Sequence, residues 1–450
     1  MIERQRVDRS TVVLVIALVV GLPLLLWLGR GMTFFSDEWA FIETRSLGDP
    51  GTWLPPHNEH WSTLPVIAYR LLVETVGLRT YVPYLAVVVA LHGLVVALTF
   101  VAIRRSSGPL AAIAVALLLV LYGSGFENIY WGFQTGFVGA TAAGIAALLA
   151  LDRRDNRGRA GVAILLTVGL ATAGVALAFC VAVAVESLLA RRLRAMFLPL
   201  TIPAAIYAAW FVAFGRFGVR TGTGLTTSAF TDVPIAIMTG FTNAAGAITG
   251  VGPNVGIVAV IGIGGWALVR LWRDRSLPPR LVGCVAGITA LYGLIGLTRF
   301  HDFEGIVDYT RYTYVSGVLV LIAVGALAGP IRMPEERTRR LLTIVPLGGL
   351  VAAALDFNAR LLIDGRDLFL ARAARTRALI TVAMERPLPS TTDPNRSLIL
   401  TPSPASLEAL IGRYGSPLSD SLVPDAVQTI PADVLAAAQK GLAEGINPPR

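Results

Sequence analysis

The chain has 450 residues, of which 54% are hydrophobic and 15% charged, and its mean hydropathy is +0.66. Soluble domains carry about 25% charged residues, so a soluble enzyme is excluded, as is a disordered chain, and a polytopic membrane protein remains. The formal net charge of +9 rests on arginine, with Lys440 the one lysine among 38 basic residues; in a membrane protein such charge reports orientation and implies no nucleic-acid partner.

The first apolar run covers residues 11–28 and follows Arg4, Arg6 and Arg9. A cleaved signal peptide is the plain alternative, but no small-residue cleavage site follows the run and many more spans do. Later runs lie at 82–103, 109–126, 131–151, 161–190, 195–214, 254–272, 281–297, 312–330 and 339–356. Most have the length that crosses a hydrocarbon core of roughly 30 Å at about 1.5 Å per helical residue. The run 161–190 is long for one crossing and short for two. Two helices hinged near residues 173–174 would place every basic cluster (104–105, 153–159, 191–194, 270–280, 332–340) on the side of the N-terminus, giving 20 basic residues there against 8 in the opposite loops. One crossing would put the last three clusters on the far side. The positive-inside rule selects two. The expected fold is therefore an all-α polytopic membrane helical bundle with about 11 transmembrane helices, a cytoplasmic N-terminus and an extracytoplasmic C-terminus, in the plasma membrane.

Two outer segments exceed what a connection needs: the first outer loop, about 29–81, and a tail from 357 to 450. The expected domains are a membrane domain over 1–356 and an extracytoplasmic tail or small subdomain over 357–450. The tail holds 10 basic and 9 acidic residues, is Pro-rich at 387–404, and has helix-like spacing at 360–385. Cys180 and Cys284 fall on different spans at different depths, so a disulfide is not expected. No internal repeat is visible, which gives a transporter built from inverted halves no support.

The spans are nearly free of charge, apart from Glu186 near a cytoplasmic end and His92 within the second span. A pump or ion-coupled carrier usually needs carboxylates near the midplane. The polar chemistry gathers at the outer surface instead. The first loop opens Phe34-Phe35-Ser36-Asp37-Glu38-Trp39, aromatics of an interfacial belt around an acidic pair. Neighbours on a helix point about 100° apart, so Asp37 and Glu38 should divide their roles. Ser36 could cap a helix whose first turn holds both acids; alternatively one carboxylate, Asp37 before Glu38, is a general base or metal ligand. Next comes His57-Asn58-Glu59-His60-Trp61. His57 and His60, three apart, could share a helix face, and with Glu59 could hydrogen-bond a sugar or phosphate; zinc needs more ligands than this segment offers. The stretch 64–77, with Arg70 and Glu74 four apart, reads as a helix lying along the interface. A short aromatic loop supplies Glu127, Asn128 and Gln134, and the loop before the tenth span supplies Arg299, His301, Arg311 and Tyr312. Each arginine can bond a phosphate bidentately; pairing with Asp302, Glu304 or Asp308 is the bland alternative.

In combination, the stretches 36–70 (SDEW…HNEHWSTLPVIAYR), 125–137 (GFENIYWGFQTGF) and 311–315 (RYTYV) resemble integral-membrane glycosyltransferases of the GT-C superfamily, near the protein O-mannosyltransferase-like branch found in multi-pass bacterial proteins. The likeness covers about residues 10–330; no WWDYG of the oligosaccharyltransferase type is present. It implies a GT-C-like bundle with interfacial helices in the first outer loop and a polyprenyl-phosphate-linked sugar as donor. It further implies inversion at the anomeric carbon, with Asp37 in the place of the first-loop catalytic carboxylate. The acceptor would be a glycan, lipid or protein at the outer face of the cell envelope. No cofactor is certain, and a divalent cation (Mg or Mn, with Asp37 as a ligand) is compatible because members of the superfamily differ in metal need. Two other classes stay open: a non-enzymatic carrier or flippase for a lipid-linked glycan, and a scaffold subunit of an envelope-building complex.

Overall fold

The computed structural model describes residues 8–218, 229–298, 309–331, 333–334, 336–385, 402, 404–427 and 429–443. Among them the regular structure is helical, with no sheet. The chain opens with α1 (Arg9–Leu28), and α2 (Asp37–Glu43) and α3 (Thr63–Thr75) lie in the first loop. Then α4 (Val82–Ser107) ends at Gly108, whose φ of 97° needs glycine, and Pro109 starts α5 (Pro109–Val120). A bend of 52° leads into the short α6 (Phe126–Tyr130), and α7 (Thr135–Leu151) follows. Next come α8 (Asn156–Leu170), α9 (Ala176–Leu189), α10 (Leu193–Ala213), α11 (Ala229–Thr249), α12 (Pro253–Asp274), α13 (Pro279–Thr298) and α14 (Thr310–Ala328). The long α15 (Arg337–Glu385) runs on into the tail, which also holds α16 (Pro404–Tyr414) and α17 (Ala432–Ala443).

Eight of these helices, counting α7 with the turn before it, are long and apolar enough to cross a membrane, or nine if bent α5–α6 is one span. The fold is an all-α polytopic membrane bundle. Large apolar side chains left open, such as Val258, Ile261, Leu268 and Trp272 on α12, are what a lipid-facing helix presents, because hydrocarbon solvates them.

The residues 161–190 form two helices, α8 and α9, that fold back as a hairpin. Its tip, around residues 171–175, packs at the N-terminal end of α7: Thr172 lies against Gly136 and Leu64 N–H donates to the Ala171 carbonyl at 3.1 Å. Its two ends lie at the opposite, C-terminal end of α7, where Arg192 donates to the carbonyls of Leu151 (2.6 Å) and Arg153 (3.0 Å). With 15 and 14 residues, the arms reach roughly 22 Å, less than the helices counted above.

Charge gathers at that same end of the bundle. Arg104 pairs with Asp8 at 2.9 Å, Arg105 with Asp152 at 3.0 Å, and Arg280 with Asp152 at 2.8 Å and Glu186 at 2.6 Å. Arg270 donates to the Leu327 carbonyl and, at 3.4 Å, to that of Ala326. The partly buried Arg280–Glu186 pair ties α13 to α9, and losing either partner would strand the other away from water. Cys180 and Cys284 are free.

Helix α11 was not foreseen. Thr231, Asp232, Pro234, Thr239, Thr242 and Asn243 interrupt its apolar run. It starts beside Gly296 near the C-terminal end of α13 and finishes where Asn358 Nδ2 donates to the Ile248 carbonyl (3.3 Å). Both places lie toward the end opposite the charged one, so α11 lies across that half of the bundle. The expected span 339–356 and the helix-like stretch 360–385 are one continuous helix of 49 residues, α15, roughly 70 Å long. Past Asn358 it leans over the far end of the bundle. Gly365 packs on Phe126, and Arg377 donates to the carbonyls of Gly31 (3.0 Å) and Met32 (3.4 Å). The tail then interlocks with the first loop: Leu78 N–H donates to the Tyr414 carbonyl (2.8 Å), Tyr81 N–H to Asp420 (3.2 Å), and Ser421 N–H to the Arg79 carbonyl (2.8 Å).

Candidate active site at the far end of the bundle

The acidic pair opens α2, and its two members separate as helix geometry requires. Ser36 takes the capping position with φ 52° and ψ −121° but gives no side-chain cap. The Glu38 carboxylate reaches back to accept the Phe35 N–H at 2.6 Å. Its other oxygen accepts the hydroxyls of Tyr69 and, at 2.8 Å, Tyr81. Glu38 is fully buried. Burial pushes its carboxyl up to about 7, and the three donors offset only part of that. It is a brace joining α2, α3 and the start of α4, and it does not face the open side of the site.

Asp37 points the other way, with 35% of its side chain exposed. Its Oδ1 lies 3.5 Å from His57 Nε2, at the outer edge of hydrogen bonding. Burial alone would raise its carboxyl; contact with His57 and the nearby positive charge of Arg311 overcome that and hold it below the usual range. Asp37 is therefore ionised at neutral pH and remains partly open to solvent.

The histidines reach this place by a turn, not the helix face that their spacing allowed. His57 and His60 exchange both backbone hydrogen bonds, at 3.1 and 3.0 Å, around Asn58-Glu59. Asn58 adopts φ 51°, which asparagine tolerates in such turns. The loop is held from three directions. Arg45 donates to the carbonyls of Thr52 (2.8 Å), Pro55 (3.1 Å) and Pro56 (3.0 Å). Trp210 of α10 donates to the Leu54 carbonyl at 2.9 Å and stacks on Trp61, centroids 5.4 Å apart. Gly174, at the hairpin tip, lies so close to His60 that an added Cβ would sit 2.7 Å from Nδ1. The His57 ring meets Phe41 (5.0 Å) and Phe133 (5.2 Å) edge-on. Burial, then the charges of His57 and Arg311, push the His60 imidazole down to about 4, so it is neutral at pH 7.

Arg311 enters from the first turn of α14. The Glu127 carboxylate accepts from Thr310 Oγ (3.1 Å) and from the Arg311 N–H (3.3 Å), and so caps that helix. The Arg311 guanidinium lies 4.7 Å from the Tyr309 ring and 5.6 Å from Tyr312. Its Nε is buried and without a hydrogen-bond partner. Asn128 and Gln134 are fully buried on the same loop as Glu127, and all four of their amide atoms lack partners among the described residues. Tyr312 is buried against Phe137, 5.7 Å between centroids. Glu59 occupies the turn between the histidines.

Thus Asp37, His57, His60 and Arg311, far apart in sequence, converge at the end of the bundle opposite the charged clusters, with Glu127 adjoining them. Glu38 does not join them. Arg299 and His301, with Asp302, Glu304 and Asp308, lie outside the described residues. Sequence reasoning missed Arg372 on α15, within electrostatic range of Glu127 and Arg311, and the loop clamp Arg45. The signal for Arg372 was the run Arg366, Arg372, Arg375 and Arg377, basic residues on the side where arginine is otherwise sparse. Among the described residues no group of three or more His, Cys, Asp or Glu side chains is placed to hold a metal ion.

No family model matches the chain, and no curated protein matches it. Among solved structures it is similar to the crystal structure of the Archaeoglobus fulgidus oligosaccharyltransferase in complex with Zn and sulfate, at 15% identity, covering 97% of this chain and 62% of that one, with a TM-score of 0.46. The chain thus spans about three fifths of the length of the protein it resembles, and at this score the likeness carries no argument about its activity.

Proposed function

We propose that the protein is an inverting glycosyltransferase of GT-C type that moves a sugar from a polyprenyl-phosphate donor to an acceptor at the outer face of the plasma membrane. One observation carries this reading: an ionised, partly open carboxylate, Asp37, shares one end of a membrane bundle with a neutral imidazole and an arginine. Transfer to a hydroxyl needs these parts. Asp37 takes the acceptor O–H proton as the acceptor oxygen bonds to the anomeric carbon. The bond from that carbon to the phosphate oxygen breaks on the opposite face, and the polyprenyl phosphate leaves with the electron pair. Arg311 stabilises the charge that grows there. His57 orients Asp37, and neutral His60 with the unpaired amides of Asn128 and Gln134 offers hydrogen bonds to sugar hydroxyls. Among the described residues no donor set is placed to hold a metal ion, and no step is assigned to one.

The orientation follows the charge. The clusters at the opposite end face the cytoplasm by the positive-inside rule, and the site faces outward, where a long-chain lipid carrier meets water. The α8–α9 hairpin and bent α5–α6 then complete eleven crossings, with residues 1–356 as the transferase domain and 357–450 as an extracytoplasmic tail.

The test is direct. The full-length protein in lipid nanodiscs is given polyprenyl-phosphate sugars with simple acceptors. Release of polyprenyl phosphate with an inverted anomeric configuration in the product is expected. Retention of configuration would overturn single displacement, and failure to consume any such donor would favour a carrier or scaffold.

A further inference from the structure

Two guanidinium groups stand at the site without an ion pair among the described residues. Arg311 makes no side-chain hydrogen bond and no ion pair within 4 Å among the described residues; its contacts are the rings of Tyr309 and Tyr312. Arg372, half-buried on α15, likewise touches only rings: Phe35 at 5.0 Å and Phe369 at 4.8 Å. Phe35 stands two residues before Asp37 and packs on Trp131 (5.6 Å), while Phe369 packs on Phe35 (6.5 Å) and Phe126 (6.3 Å). These aromatic supports fix each planar head while leaving its N–H donors free. Glu127 lies in electrostatic range of Arg372 but forms no ion pair within 4 Å with either guanidinium, and its Oε2 is engaged at the start of α14. Burial and the repulsion of Arg311 and Arg375 outweigh Glu127 and depress the Arg372 guanidinium. Two like charges in electrostatic range of one another and half-dry disfavour one another unless an anion joins them.

We propose that Arg372 and Arg311 together clamp the phosphate of the lipid carrier, so that the tail helix α15 supplies half of the donor's anion site. This rests on the donor class proposed above. The bundle provides one guanidinium through α14 and the tail provides the other. The anchorage of α15 through Arg377 to Gly31 and Met32 then sets the distance between them. The tail thereby becomes a part of donor binding, not an accessory to it.

The experiment reads binding, which needs no transfer. Polyprenyl monophosphate and the uncharged polyprenol of equal chain length are titrated onto the full-length protein in nanodiscs, with inorganic phosphate and phosphatidylglycerol as competitors. The intact protein should prefer the monophosphate by tenfold or more, the scale of a lost charge-assisted bond. Arg372→Ala should lose that preference about tenfold, Arg372→Lys should recover part of it, and Arg360→Ala, exposed on the same helix, should leave it unchanged. Should Arg372→Ala and Arg372→Gln both keep the full preference, the clamp is overturned while the transferase reading stands. An intact protein that does not distinguish monophosphate from polyprenol overturns the donor class and the clamp with it. Displacement by phosphatidylglycerol or inorganic phosphate at equal concentration would mark a general anion site and also overturn the clamp.

Discussion

At the scale of single residues, the site is built by giving two adjacent carboxyls opposite environments. Glu38, caged by Tyr69, Tyr81 and the Phe35 N–H, titrates at about 7 when folded against 4.5 for an ordinary glutamate. Between those values the folded protein keeps a proton that the unfolded chain has lost. Stability from this group therefore falls as pH rises from about 4.5 to about 7 and then levels off. Glu38→Gln has no proton to release, so its thermal midpoint relative to that of the unsubstituted protein should climb across that window; a constant difference would refute the assignment. Ser36 is the second residue with a measurable consequence. Its φ of 52° and ψ of −121° suit glycine and cost a side chain about 1–3 kcal/mol. That strain sits one residue before Asp37 and sets the start of α2. Ser36→Gly should stabilise the protein by about 1 kcal/mol with activity kept, whereas Ser36→Val should lower both, as melting curves and turnover would record. The 100° separation of Asp37 from Glu38 was legible in sequence. Which of the two would be buried was not, since that depends on Tyr69 and Tyr81, more than thirty residues away.

At the scale of elements, the tail is part of the scaffold. Arg70, 3% exposed, donates to the Ile42 carbonyl at the end of α2 (2.7 Å), to Glu74 (2.5 Å) and to the Tyr414 hydroxyl (2.9 Å). One guanidinium thus joins α2, α3 and the tail. Arg70→Ala leaves the Ile42 carbonyl without its donor and removes one of three partners of the partly exposed Glu74, and should cost about 2 kcal/mol. Tyr414→Phe removes a hydroxyl that accepts from Arg70 and donates to Glu74 at 2.9 Å each, and should cost about 1–2 kcal/mol in the same denaturation assay. The pairing of Arg70 with Glu74 could be read from their spacing, and so could helix α3. The partner Tyr414 could not, because nothing local links positions 344 residues apart. Helix α11 was hidden for a related reason: its polar interruptions are tolerated by packing on α12, α13 and α14, and apolar periodicity does not register such packing.

At the scale of the whole molecule, charge and chemistry occupy opposite ends. The sequence pattern of basic clusters already implied one charged face, and the structure brings Asp8, Arg104, Arg105, Asp152, Glu186 and Arg280 together there. The convergence of Asp37, His57, His60 and Arg311 at the other end could not be read beyond their common place in outer segments, since α2, the His57–His60 turn and α14 meet only in the fold. The orientation has its own test. Ser276→Cys, beside the charged end, should resist an impermeant maleimide in intact cells, while Ser416→Cys, in the tail beside Arg79 at the other end, should react; the reverse pattern would invert the topology. The transfer itself is tested most directly by comparing turnover of a polyprenyl-phosphate sugar by the intact protein with that of Asp37→Asn, both in nanodiscs. Loss of about 10²-fold or more, at an unchanged melting temperature, is the predicted result; equal turnover by the two would contradict Asp37 as the base.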